Sequence, residues 1–519
     1  MTLALAPGTA WETVYSRARS VIPAAFGDDG TLRNLYGGRW HPSRIAAAAH
    51  SPVDGSSISG APLLDPDDAG EALRGAVEEH KTWGDTPLIE RKRRVTAAVN
   101  SMRESRDTLA LMLVWEIGKP WRLACADVDR CLDGVEWYVE QIERQLAVGT
   151  PDERTPLPGP VSNIASWNYP MSVLMHALLV QMLAGNAVIA KTPTDGGAAC
   201  LTLACGLARE AGLPVALISG NGSRLSSVLV SNSDIGGLAF VGGRTAGGQV
   251  AARLVDTGRR HMLEQEGLNA WGIWDFSDWG ELANHLRKGF EYAKQRCTAY
   301  PRYVVQRRLF PEFLEAYLPV VQSLKFGHPL AVENDGDPLP DLDFGPVINA
   351  KKAAELREKT EELITKGGVP LYRGSLADGR FLLHQDTSAY VAPAAVLSPP
   401  TSASLHHAEP FGPIDTIVLV DTESELLAAM NASNGALVAS IACDDEQTAN
   451  RLAGELHAYK VGINKPRSRG DRAETFGGRG ASWKGAFVGG DLLVNAVSMS
   501  PSPDERLYGN FPSYSLYPD

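Results

Sequence analysis

The feature that most restricts the fold of this chain begins at Val161. From there, short apolar segments at residues 161–164, 187–191, 215–219, 237–240 and 271–274 alternate with stretches of helical spacing. Alternation of this kind builds βαβ units on a parallel sheet. A second series follows Asp275, with strands expected near residues 303–305, 417–420, 439–442 and 461–464. The chain therefore reads as α/β. Its 519 residues exceed what one hydrophobic core organises, so two large domains with smaller appendages are expected.

Ahead of Val161 the pattern is helical. Residues 1–60 read as irregular, with a short strand pair around 35–45. Asp65-Pro66-Asp67-Asp68 opens a helix as an acidic first turn, and Pro87 starts the next, which runs towards Glu104. A third helix stops at Gly118-Lys119-Pro120, a fourth spans 124–145, and the Pro-rich residues 150–160 read as a linker or projecting arm. Residues 170–190 are apolar almost to bilayer length, but His176, Gln181 and Gly185-Asn186 interrupt them, so they read as a buried helix, a turn and a buried strand.

Charge and cysteine usage exclude several functions. Lys plus Arg (49) minus Asp plus Glu (61) leaves −12, a surface that argues against nucleic acid or an anionic membrane as partner. The six cysteines are scattered without C-x-x-C spacing, so neither a disulfide framework nor a metal site is expected. Reduced thiols and an N-terminus without a basic start and long apolar run fit a cytoplasmic protein.

One of those thiols stands out. Cys297 lies in Gln295-Arg296-Cys297-Thr298, beside a cation and a hydroxyl that favour a reactive thiolate, although a small buried core residue is the bland alternative. Gly220-Asn221-Gly222 and Phe240-Val241-Gly242-Gly243-Arg244-Thr245-Ala246-Gly247 each follow a strand and lead towards a helix. They read either as pyrophosphate-binding turns or as ordinary tight connections. In Leu263-Glu264-Gln265-Glu266-Gly267-Leu268-Asn269, Glu264 is either a general base or part of a charged loop.

Taken in order, these pieces resemble the aldehyde dehydrogenase superfamily over nearly the whole chain. The motifs are Ser166-Trp167-Asn168-Tyr169-Pro170, Ala184-Gly185-Asn186-Ala187-Val188-Ile189-Ala190-Lys191, the Phe240–Gly243 turn, the altered Glu264 to Asn269 box, Gln295 to Cys297, Gly345 to Asn349, Glu409-Pro410-Phe411-Gly412-Pro413, and Ile463-Asn464 with Phe476-Gly477-Gly478. Details such as Thr86-Pro87-Leu88 and Arg469-Gly470-Asp471 look like the non-phosphorylating glyceraldehyde-3-phosphate dehydrogenase group.

The resemblance implies NAD(P)-dependent oxidation of an aldehyde, polar or anionic, to its acid. Cys297 would be the nucleophile, Asn168 the oxyanion donor and Glu264 the base that activates water. Ser166, Trp167, Lys191, Thr194, Gly222, Gly242, Gly243, Gly247, Glu409 and Phe411 would bind the cofactor, while Arg296, Thr298 and Arg469 would meet the substrate. Thr194 stands where NAD-selective relatives carry a glutamate, so no carboxylate at that place repels a 2′-phosphate, and NADP is expected alongside NAD. Three departures cluster: Ala177, Leu268 and Phe487 occupy positions of the usual proton relay. This leaves two alternatives, transfer of the acyl group to coenzyme A and a catalytically impaired binding protein.

The implied architecture is a Rossmann-type NAD(P) domain (1–145 and 161–265), an α/β catalytic domain (266–460) and a small β arm (146–160 and 490–519). Such arms pair with a neighbour's sheet, implying homodimers or homotetramers.

Overall fold

The computed structural model describes residues 3–43, 45–255, 257–433, 435–468 and 471–511. Two sheets organise it. The first has nine strands, with parallel strands at its centre: Val161–Ile164, Val188–Lys191 and Val215–Ile218 run outward in one direction, and Gly237–Gly242 and Arg260–Gln265 in the other. The chain reverses its direction of winding between Val161–Ile164 and Gly237–Gly242, and the carboxyl ends of strands on either side of such a switch open a crevice. The expected pair near 35–45 is there: Asn34–Tyr36 and Arg39–His41 close one edge antiparallel.

The second sheet has seven strands, in the order Val369–Arg373, Ala394–Leu397, Ile414–Val420, Arg302–Gln306, Ala270–Ile273, Ala436–Ala442 and Ala458–Ile463. All are parallel except the first. The structure adds elements where none was read. Residues 1–60 are not merely irregular: Trp11–Val21 is a helix that buries Trp11, Val14 and Ala18 at helical spacing, and Ala46–His50 pairs with Ser57–Pro62. Glu264 sits on the strand Arg260–Gln265, because that strand is buried between two others and tolerates polar residues only at its rim.

The arm is reduced to a ribbon of Thr155–Pro156 against Ser498–Met499. The chain then turns back, and Gly509–Asn510 pairs with Trp483–Ala486, which lies antiparallel to Arg260–Gln265. Arg154 and Arg260 both grip Glu505, and each also donates to the Asn495 and Ser498 carbonyls. The described arm strands therefore pair within their own chain.

Helices Pro66–Gly84, Leu88–Glu104, Arg106–Ile117 and Trp121–Gln145 cover the first sheet. The Asp65 carboxylate caps the first of them by accepting from Asp67 N and Asp68 N, both at 2.9 Å. Gly118 ends the third at φ +67, where an added Cβ would lie 2.4 Å from Pro346 Cγ. The apolar run after Asn168 forms a π-helical turn, Pro170–Met175, then the helix His176–Leu183 and a buried strand. Among the described residues no helix is long and apolar enough to cross a membrane.

Glu116 ties this helical layer to the sheet. Its carboxylate accepts from Ala199 N at 2.7 Å and Cys200 N at 2.9 Å, capping the helix Ala198–Glu210. Burial pushes Glu116 up from 4.5 to about 7, against the lowering effect of those N–H donors. The folded state therefore favours the protonated form, and the contribution of Glu116 to stability is fully present below pH 4.5 and falls as pH rises towards 7. Urea titrations of wild type and Glu116→Gln across this window are expected to show a pH-dependent loss of about 3 kcal/mol in wild type that the variant lacks.

Candidate active site

The segment carrying Cys297 is set by an unusual turn. Tyr292, Ala293 and Lys294 are consecutive left-handed residues, at φ 59, 52 and 55. None is glycine, and each left-handed L-residue costs about 1–2 kcal/mol. The turn is held at several points. Tyr292 N donates to Asp343 O (2.9 Å), and Tyr292 OH to Ile117 O (3.2 Å). Lys294 Nζ lies 2.7 Å from Asp415 Oδ1. Gln295 Nε2 donates to Pro346 O and Gln295 Oε1 accepts from Ile348 N. On the far side Asn269 Nδ2 holds the carbonyls of Cys297 and Ala299, each at 2.8 Å.

Asn168 faces this segment, donating from Nδ2 to Gln295 O at 3.1 Å while Oδ1 accepts from Ser166 Oγ. One of the two Nδ2–H bonds is thus committed and the second remains to be used. The Asn168 carbonyl accepts from Lys119 Nζ at 2.8 Å. Lys119 is fully buried against Asp127 (2.9 Å) and lies over the Tyr169 ring, 3.9 Å from its centroid. Asp127 also accepts from Ser172 N and Ser172 Oγ, which pins the π-helical turn.

Two cavities meet here. One, of about 460 Å³, runs between the helix Trp121–Gln145 and the first sheet; the other, of about 360 Å³, lies between the two sheets. Cys297, Glu264 and Tyr169 line both. Glu264 reaches the junction because strand residues alternate: Met262 and Glu264 share the face that Ala239 and Val241 present on the neighbouring strand.

The smaller cavity has the character of a dinucleotide cleft. Ser166, Trp167, Gly242, Gly243, Glu409 and Phe411 line it, and Phe411 packs edge-on to Trp167 with ring centroids 5.8 Å apart. Gly247 follows in the helix Arg244–Leu254, where a Cβ would lie 2.5 Å from the Gln265 side chain. Glu409 is 7% exposed, and neither of its carboxylate oxygens has a hydrogen-bond partner among the described residues. Burial first, and then the charge of Glu266, push its carboxyl well above the ordinary range. A buried acceptor without a donor fits the hydroxyl pair of a ribose.

The remaining positions read as cofactor-binding are more dispersed. Lys191 is buried and donates to Thr192 O (2.8 Å), a Cβ added at Gly222 would lie 3.8 Å from Lys191 Cε, and Thr194 is exposed. Sequence reasoning passed over Asp195, which lines the cleft and takes a 3.4 Å contact from Asn349 Nδ2. A carboxylate therefore does stand near Lys191, one residue beyond Thr194.

In the larger cavity Arg296 and Thr298 flank Cys297. The Arg296 guanidinium donates to Lys288 O and Gly289 O, capping the helix Trp279–Gly289, so much of its capacity is spent on the protein. Arg469 lies outside the described residues. The cation that motif reading missed is Arg130. With Gly134 and Tyr138 it forms one stripe of the helix Trp121–Gln145 along this cavity, and its side chain has no hydrogen bond or ion pair among the described residues. The i, i+4, i+8 spacing was available in the sequence; that the stripe faces a cavity was not. Gly134 lets the helix close on His176, whose ring atoms would lie 2.8 Å from an added Cβ. Ala177 lines the cavity, and Leu268 and Phe487 are buried, Phe487 among Tyr459, Trp483 and Tyr508, so those positions hold no charge.

A cysteine at the meeting of a dinucleotide cleft and a second cavity, beside a carboxylate and an amide, defines a nucleotide-dependent oxidoreductase that works on carbonyl compounds. Residues 40–499 match the aldehyde dehydrogenase family, and the chain belongs to it. It is an NAD(P)-dependent aldehyde dehydrogenase. Similar curated proteins include N-succinylglutamate 5-semialdehyde dehydrogenase 1 of Caulobacter vibrioides, 29% identical over 88% of this chain and 97% of that protein. Mitochondrial succinate-semialdehyde dehydrogenase of Homo sapiens is 24% identical over 89% and 85%. Among solved structures, the NADP-dependent glyceraldehyde-3-phosphate dehydrogenase of Bacillus halodurans in complex with NADP superposes at TM-score 0.80, with 24% identity over 90% of this chain and 98% of that one.

Burial lowers Lys191 to about 8, opposed by the charge of Asp195. Its ammonium is lost as pH rises through that value. The dissociation constant of NADP is expected to rise up to about tenfold between about pH 7 and pH 9, with that of NAD unchanged, in fluorescence titrations.

Proposed function

We propose that Cys297 is the acyl-carrying nucleophile, with Asn168 as oxyanion donor and Glu264 as base, and that the substrate is an aldehyde with a carboxylate at its far end. The observation that carries the reading is that Cys297 and Glu264 line both cavities, so one thiol meets substrate from one side and cofactor from the other.

In this reading the Cys297 thiolate attacks the aldehyde carbon, and the uncommitted Asn168 N–H, with the Cys297 backbone N–H, takes the oxyanion. The bound NAD(P) supplies the hydride acceptor, leaving a thioester on Cys297. Ser166, Trp167, Gly242, Gly243 and Phe411 shape the cleft for it, and Glu409 accepts the ribose hydroxyls. Gly222, Lys191 and Thr194 serve the adenosine end, where Asp195 weighs against a 2′-phosphate and Lys191 favours it. Glu264 then takes a proton from water, whose oxygen attacks the thioester and releases the acid.

The distal carboxylate is supported by Arg130, which has no hydrogen bond or ion pair among the described residues, with Arg296 and Thr298 beside the thiol and Arg469 assigned from its motif. It is also supported by the relatives, which are named for semialdehydes of dicarboxylic acids. The apolar residues at 177, 268 and 487 favour a second acceptor, coenzyme A, since Glu264 has no charged relay behind it at those positions. The reading includes a reducing cytoplasm, supported by six free thiols, and homodimers or homotetramers, supported by the family resemblance alone.

The test follows NAD(P)H absorbance with dicarboxylic semialdehydes and neutral aldehydes of equal length, with and without coenzyme A. Cys297→Ala is expected to show no reduction, and Glu264→Gln one burst equivalent followed by slow turnover. A strict coenzyme A requirement would replace hydrolysis by acyl transfer. Arg130→Met should raise KM about tenfold for the semialdehydes alone; an equal rise for neutral aldehydes would remove the distal carboxylate from the proposal.

A further inference from the structure

The left-handed run Tyr292-Ala293-Lys294 holds a conformation that its residues do not choose for themselves. Such strain persists only where surrounding contacts over-determine it. Lys294 adds a buried ion pair to those contacts. Its ammonium is 1% exposed and sits 2.7 Å from Asp415 Oδ1, 3.0 Å from Tyr300 O, 3.2 Å from Tyr303 OH and 4.1 Å from the Phe290 ring centroid. Asp415 is wholly buried on the strand Ile414–Val420 and also accepts from Tyr317 OH at 2.9 Å. Lys294 lines neither cavity, so it has no route to substrate or cofactor. Three residues further on, the Cys297 carbonyl is fixed by Asn269.

We propose that Lys294 and Asp415 are a positioning pair for Cys297. Their ion pair clamps the left-handed turn onto the second sheet, and the thiol is thereby delivered to the junction of the two cavities. The inference rests on the reading of Cys297 as nucleophile. It goes beyond that reading by assigning the thiol's placement to a buried charge pair outside both cavities, where glycine would adopt the same backbone unaided.

The test compares wild type, Lys294→Met, Asp415→Asn and the double variant Lys294→Gly with Asp415→Asn. Four quantities are read in each: the pre-steady-state NAD(P)H burst, the rate of Cys297 alkylation by iodoacetamide, the aldehyde KM and the cofactor dissociation constant. The single variants are expected to slow the burst about 100-fold, the scale set by a nucleophile displaced by an ångström, with KM and cofactor affinity unchanged. The double variant should recover most of that loss, because glycine takes a left-handed φ freely and the Asp415→Asn change leaves no buried charge behind. If Lys294→Met does not fold, Asp415→Asn and the double variant carry the comparison. Burst and alkylation rates near wild type in a single variant, or a loss that the double variant does not relieve, would overturn the proposal. Cys297→Ala separates the two readings: activity lost there but kept in Lys294→Met sinks the positioning pair alone, whereas activity surviving in Cys297→Ala sinks the nucleophile.

Discussion

The buried pair of Lys119 and Asp127 ties together the helix, the π-helical turn and the amide on one side of this site. Lys119 follows the Gly118 stop and Asp127 lies two turns into the next helix, so the pair fixes how that helix leaves the turn. The ammonium then takes the Asn168 carbonyl and rests between the rings of Tyr169 and Tyr292, which come from different halves of the molecule. The carboxylate holds Ser172 and through it the π-helical turn. Removing one member of a buried pair leaves a charge without water or partner, at a cost of about 3–5 kcal/mol. The amide that faces the thiol, the helix that lines the larger cavity and the meeting of Tyr169 with Tyr292 thus share one anchor.

The second organising constraint is topological. The crevice exists because the first sheet changes its direction of winding beside Val161–Ile164, and both flanking strands end in residues that line it. Ser166 and Trp167 come from one strand end, Gly242 and Gly243 from the other, and Glu264 from the next strand along. The opposite wall, with Glu409 and Phe411, comes from the loop ahead of Ile414–Val420 in the second sheet. Glu409 is the unusual group in this wall, a buried carboxylate that takes no donor among the described residues, and burial alone does not stabilise such a group.

Much of this was legible in the sequence, for identifiable reasons. The central strands were readable because burial on both faces leaves unbroken apolar runs, as at 188–190 and 215–218. The strand carrying Glu264 was not, because His261, Glu264 and Gln265 interrupt it, and its burial comes from Trp483–Ala486, a strand far later in the chain. Motif spacing brought Cys297, Asn168 and Glu264 to one place. It was silent on Arg130, whose meaning depends on which way its helix faces, and on the Arg296 guanidinium, which also caps a neighbouring helix. Asp195 was missed by one residue, since a loop position counted along the chain is a poor guide to which carboxylate enters a cleft.

The strand order has a bearing on the life of the nascent chain. Glu264 pairs in register with Trp483, and the strand of Trp483 is itself covered by Gly509–Asn510, held near the clasp of Arg154, Arg260 and Glu505. Cys297 and Asn168 therefore leave the ribosome long before the strand that shields Glu264 on its outer side. Until then the edge of Arg260–Gln265 is open to any other extended segment, and a chain that stalls short of residue 483 carries its thiol without a finished site around it.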